Sequence, residues 1–144
     1  MTFFAKFFDE LAPGELHGIL RARAQIFIAE QGMHYIDPDD VDFQSLHIFG
    51  IEDGRVVAYL RAFSVDADTV KIGRVLTITH GMGHGRALMN YAIATIPKKL
   101  PCKMLVMDAQ THALPFYKKL GFAVTSEEYF EEGVPHVDMC LKVL

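Results

Sequence analysis

Cysteine is scarce in this chain. Cys102 and Cys140 are the only two among 144 residues; they make no disulfide framework and lack the spacing of metal ligands, so no metal is expected. No apolar stretch reaches the length that crosses a bilayer, so no membrane partner is expected. Phe3, Phe4, Phe7 and Phe8 crowd the N-terminus, yet Lys6 and Asp9 interrupt them and no basic run precedes them. That argues against a signal peptide and for a cytoplasmic protein. A basic surplus is missing too: the net charge of −4 supplies no broad cationic surface for nucleic acid. Internal repeats and low-complexity linkers are absent. With 51% apolar and 22% charged residues, the expectation is one domain over residues 1–144 with a single sizeable core.

What is present alternates between two periodicities. Phe3 to Phe8 reads as a short aromatic strand. Pro13 opens a helix, carried by Leu16, Ile19, Leu20, Ala24 and Phe27 and stopped by Gly32. Tyr35 to Phe43, with Asp37, Asp39, Asp40 and Asp42, reads as a solvated loop. Asp53-Gly54 between Leu46–Glu52 and Arg55–Phe63 is a strong hairpin signal. Val70 to Ile78 is a further strand, Arg86 to Ile96 a helix, Met104 to Asp108 a buried strand and His112 to Leu120 a short helix capped by Gly121. Val137 to Val143 alternates as a last strand. This mixed α/β (α+β) order predicts a central twisted mixed sheet flanked by helices.

His80-Gly81-Met82-Gly83-His84-Gly85-Arg86 lies between a predicted strand and a predicted helix. Glycines there let successive backbone N–H groups converge on an anion at a helix N-terminus, which suits a phosphate or pyrophosphate. On spacing alone, a ligand-free glycine turn remains equally open. No Gly-Lys-Ser/Thr follows, so it is no Walker loop, and the dinucleotide fingerprint is absent.

Further along stands Gln110-x-x-Ala113-x-x-x-Tyr117-x-x-x-Gly121-Phe122. Together the two segments resemble the GNAT family of N-acetyltransferases, with its Gln/Arg-x-x-Gly-x-Gly/Ala loop and its later Tyr followed four residues on by Gly-Phe. Gly83 and Gly85 match the loop glycines; His80 stands where the family opens the loop with Gln or Arg. Phe27–Gln31, His47-Ile48, Ile72–Val75, Ala109–His112 and Gly133–His136 are further similar to the ElaA-like subgroup. The resemblance covers nearly the whole chain and implies the acyl-CoA N-acyltransferase fold.

It also implies acetyl-CoA as cosubstrate and direct attack by an amine, without an acyl-enzyme. Val75, Leu76 and Thr77 would pair with the pantetheine arm as an added strand. His80 to Arg86 and Gln110 would meet the rest of the cofactor. Tyr117 matches the family's proton donor to the leaving thiolate, and a core aromatic is its ordinary alternative. An alkylamine of pKa ~10.4 needs a base. Glu30, His47 and His136 are the candidates, and spacing does not choose among them. Arg61 and Arg74 read as ion-pair formers on strands.

Two other functions compete: a non-catalytic module of the same fold that holds acyl-CoA for regulation, and a small nucleotide-binding protein using the glycine loop. The second lacks a Mg²⁺-ligating Ser/Thr or acidic partner. The resemblance leaves a homodimer open, although no apolar face in the sequence demands one.

Overall fold

Asp53 and Gly54 take φ of +52° and +74°, the left-handed pair that a two-residue primed turn requires. The hairpin they close sits in the middle of the molecule. The computed structural model describes residues 1–144. In chain order its elements are β1 (Thr2–Phe7), α1 (Pro13–Arg23), β2 (Leu46–Glu52), β3 (Arg55–Ser64), β4 (Thr69–Thr77), α2 (His84–Lys99), β5 (Met104–Gln110), α3 (Leu114–Lys119), β6 (Ala123–Val124), β7 (Tyr129–Glu131) and β8 (Val134–Lys142). The eight strands form one open sheet in the order β1-β2-β3-β4-β5-β8-β6, with β7 also on β8. Every pair is antiparallel except β4 with β5, which α2 joins as a crossover. No helix is long and apolar enough to cross a membrane.

Strand alternation assigns each face its own core. Leu46 and Ile48 of β2 and Ala58, Leu60 and Ala62 of β3 pack beneath Leu88, Met89, Ala92 and Ile96 of α2. Phe49 and Tyr59 point the other way and meet Ile19, Ala22, Ile26 and Phe27 from α1 and the segment after it. That segment, Ala24–Glu30, is a π-helical stretch before the left-handed stop at Gly32 (φ +67°). The wide turn carries Ile26 and Phe27 onto the sheet.

β4 breaks the alternation. Val70 and Ile72 face the α2 side, whereas Leu76 belongs to the α1 side and Val75 packs toward α2. Strict period two would put Leu76 on the face of Ile72. The register explains the switch: Tyr59 faces Leu76 but Arg61 faces Gly73, so two steps along β3 match three along β4. The extra residue is a β-bulge, and Arg74 beside it takes φ +52°. Pairing of β4 with β5 ends at Ile72↔Met107. Beyond it the two parallel strands part, and the cleft opens between them.

The acidic loop is not the solvated segment expected from its composition. Arg23 is 0% exposed and holds Asp37 at 2.5 Å and Asp42 at 2.7 Å. Arg61 pairs with Asp39 at 2.6 Å and Asp42 at 3.0 Å, and Arg74 reaches Asp37 at 3.2 Å and Asp39 at 3.4 Å. Arg61 and Arg74 are therefore ion-pair formers, as their strand positions predict. Burial alone would depress the Arg23 pKa, but the hydrogen bonds it donates to Asp37 and Asp42 outweigh that and raise it. Asp42 Oδ2 and Arg61 Nε are buried without a partner, so charge neutralisation carries the network rather than complete hydrogen bonding.

The short strands β6 and β7 escaped the sequence. Glu132 and Gly133, with φ of +51° and +72°, form a second tight turn, and Gly133–His136 belongs to the β7–β8 hairpin. α2 also begins at His84 rather than Arg86 and holds Pro97 in its last turn.

Removing Arg23 takes one of two cationic partners from each of the buried carboxylates Asp37 and Asp42, so Arg23→Met should lower the unfolding free energy by about 3–5 kcal/mol in urea titrations. Lys71→Met removes only the part-exposed pair with Asp108 and should cost about 1 kcal/mol or less. A second expectation concerns acid. Burial lowers the His47 pKa, so below about pH 6.5 the unfolded chain binds a proton that folded His47 refuses. Stability should therefore fall as pH drops below that value, and His47→Gln should flatten that part of the slope.

Candidate active site

The splay of β4 from β5 leaves one edge of Gly73–Thr77 without a strand partner, facing a cleft of about 930 Å³. Asp108, Ala109 and Gln110 of β5 form the opposite side. The glycine loop closes one end. Gly81 and Gly83 take φ of +77° and +76°, a conformation that L side chains resist, and Gly83 caps α2. A 16-residue helix thus starts at the cleft with its free N–H groups and partial positive charge. A Cβ on Gly85 would meet the Phe116 ring at 3.5 Å, an ordinary van der Waals contact, so the packing of α2 on α3 does not itself require glycine there.

Of the expected cofactor residues, Val75, Leu76, Thr77, His80, Gly81, Gly83, His84, Gly85, Arg86, Gln110 and Tyr117 all line this one cleft. Met82 does not: it is 65% exposed and points outward. His80 lies at 3.3 Å from Glu30 across the loop mouth, with both side chains largely exposed. His112 hydrogen-bonds Gln110.

Tyr117 reaches the cleft from α3 and is 8% exposed. Its ring packs edge-on against Phe116 and Phe122. Burial alone, with no hydrogen bond to offset it, pushes its pKa up to about 12. The hydroxyl thus keeps its proton, and the residue lines the cleft.

The three base candidates separate cleanly. His47 is 0% exposed and lies outside the cleft. Its Nε2–H donates to the Asp42 carbonyl at 2.9 Å, and its Nδ1 accepts from the Tyr59 hydroxyl at 2.7 Å. With both nitrogens occupied it anchors the acidic loop to β3 and has no lone pair for an acceptor amine. Glu30 sits on the rim with His80 and does not line the cleft. His136 does line it, at 6% exposure. Its Nδ1–H donates to the Val134 carbonyl at 2.7 Å, which leaves the Nε2 lone pair free. Tyr129 stacks on the imidazole at 6.0 Å, and its own hydroxyl donates to Asp138 at 2.6 Å. The ring is held at both faces of the problem, tautomer and orientation.

Residues 25–143 match the model of the acetyltransferase (GNAT) domain. The chain belongs to the GNAT acetyltransferase family. Protein ElaA of Escherichia coli is 35% identical over 94% of this chain and 93% of its own. Its crystal structure superimposes with a TM-score of 0.90 at 32% identity, over 96% and 97% of the two chains. A UPF0039 protein of Schizosaccharomyces pombe is 34% identical over 99% and 98%. An acyl-CoA N-acyltransferase from Pseudomonas aeruginosa gives a TM-score of 0.90 at 28% identity, over 97% and 99%. Acyl transfer is the activity that GNAT membership carries, and the mixed sheet with flanking helices is the family's fold.

The sequence missed the wall built by the acidic loop. Tyr35 and Asp39 line the cleft, and the Arg74 guanidinium lies 4.3 Å over the Tyr35 ring. Three arginines spaced to meet three aspartates are visible only once the strands are paired. Glu131 and Glu132 of the β7–β8 hairpin were missed as well; a Gly preceding an alternating run was the available sign.

CoA at a hundredfold its dissociation constant should add ~2.7 kcal/mol of stability, seen as a raised Tm. Gly83→Asp sets a Cβ on a left-handed backbone and a carboxylate at the helix N-terminus. The variant should remain folded and lose the CoA-induced shift; a normal shift would move the phosphate site elsewhere.

Proposed function

We propose that the protein transfers the acetyl group of acetyl-CoA to a primary amine by direct attack within a ternary complex. The observation that carries this reading is the convergence on one cleft of an unpaired β4 edge, a protonated Tyr117 hydroxyl and the free Nε2 of His136. The pantetheine amides add to the edge at Val75, Leu76 and Thr77. The pyrophosphate sits on the backbone between Gly81 and Gly85 at the start of α2. Backbone N–H groups at the bulge polarise the thioester carbonyl.

The amine nitrogen then attacks the carbonyl carbon while His136 Nε2 takes a proton from it. The C–S bond breaks, and Tyr117 gives its proton to the departing sulfur. Solvent returns the two side chains to their starting states. Neither cysteine lines the cleft, which favours direct transfer over an acyl-enzyme. His80 reaches Glu30 instead of a phosphate, so the backbone carries the pyrophosphate in this reading.

Tyr117→Phe should lower kcat by roughly 10²–10⁴ with little change in acetyl-CoA affinity, measured as free thiol release. His136→Gln should lower kcat/KM for the amine while CoA still raises the Tm. Because burial holds Tyr117 protonated toward pH 12, wild-type kcat should show no falling limb up to about pH 10. A fall of less than threefold in Tyr117→Phe would make that ring structural. Tight acetyl-CoA binding with no thiol release across a broad amine panel would favour the regulatory acyl-CoA module.

A further inference from the structure

The ion pairs of the cleft leave an uneven remainder. Among its lining residues Lys71 is paired with Asp108, and Arg61 and Arg74 are paired with Asp39. Three fixed charges have no such partner. One is the cation Arg86, in the first turn of α2 beside the glycine loop. The other two are the carboxylates of Glu131, the last residue of β7, and Glu132, in the turn that follows it. The positive remainder thus sits on the wall that suits phosphates. The negative remainder sits on the wall that carries His136.

The second wall is built rather than merely acidic. His136 is buried to more than nine-tenths, with 6% of its surface exposed, and its orientation is fixed by Val134 and Tyr129. Its Nε2 makes no hydrogen bond and approaches only Glu131 Oε2, at 3.9 Å. A cationic group entering there finds two carboxylates at the lip and an acceptor nitrogen behind them. A carboxylate-bearing acceptor would instead meet like charge.

We infer that the acceptor is a small amine bearing a second positive charge, with Glu131 and Glu132 binding the distal ammonium while His136 faces the amine that reacts. The inference rests on the acetyl-transfer reading of the cleft and adds the chemical class of its acceptor. Glu131 is about half exposed, with side-chain accessibility of 56%, so the two contacts together are worth on the order of tenfold rather than the thousandfold of buried pairs.

Three acceptors of equal chain length separate the cases: 1,4-diaminobutane, butylamine and 4-aminobutyrate, whose tails are cationic, neutral and anionic. Thiol release with acetyl-CoA should give kcat/KM in that order, with the diamine roughly tenfold above butylamine. The margin should shrink as ionic strength rises past the physiological range. In Glu131→Gln/Glu132→Gln the ratio of diamine to butylamine should collapse toward unity. Equal values for the three tails in the wild type, or a ratio untouched by the double substitution, overturns the inference while leaving acetyl transfer standing. Should no amine release thiol, acetyl transfer itself has failed, and calorimetric binding of 1,4-diaminobutane to the CoA-loaded protein becomes the readout. Binding lost in the double variant would then uphold the cationic subsite, and no binding by the wild type would overturn it.

Discussion

β4 carries one residue more than the stretch of β3 it pairs with, and the cleft depends on that residue. Ahead of the bulge, Val70 and Ile72 are ordinary sheet residues sharing a parallel register with β5. Behind it the side chains have exchanged faces, so Leu76 seals the α1 core and the strand keeps its bond to β3 alone. A regular β4 would continue beside β5, with both edges consumed by hydrogen bonds and nothing left to hold an extended amide chain. The bulge converts a sheet interior into an edge, and does so in the middle of the sheet, between β3 and β5.

An interior edge needs a brace, because a gap between two strands would otherwise close or fray. The arginine–aspartate network supplies it. Arg23 comes from α1, Arg61 from β3 and Arg74 from the bulge, while all three carboxylates come from the loop that walls the cleft. Such a network is a weak source of net stability, since taking six charges out of water costs nearly as much as their attraction returns. What it provides is geometry. An apolar loop of similar size could slide; carboxylates fixed by three guanidinium groups cannot, and His47 and Tyr59 pin the same loop from beneath.

The local features were legible because their signals are local. Asp53-Gly54 announces its turn, the spaced glycines announce a loop ahead of a helix, and Tyr117 with Gly121-Phe122 announces the short helix. The bulge was illegible for a physical reason: Val70, Ile72, Leu76 and Ile78 keep the same parity in sequence, so the chain reads as one regular strand although the residues face opposite cores. The aspartates looked solvated because their partners lie 14 to 37 residues away, on elements whose adjacency is set only by the sheet order. His47 and His136 are indistinguishable as letters in strands. Pairing separates them, since one has both ring nitrogens engaged and the other has one to spare.

Arg74 shows what such a design does to the routes open to sequence change. Its backbone angle asks for glycine, the residue that removes a left-handed strain of about 1–2 kcal/mol. Its guanidinium, stacked on Tyr35 and shared between Asp37 and Asp39, asks for arginine. No one residue meets both demands, so a step that relieves the backbone leaves Asp37 to Arg23 and Asp39 to Arg61 alone, and a step that keeps the charge keeps the strain. Replacement at this position costs least once Asp37 or Asp39 has changed first. The order of substitutions, and not merely their identity, then decides which descendants of this chain still fold around an open cleft.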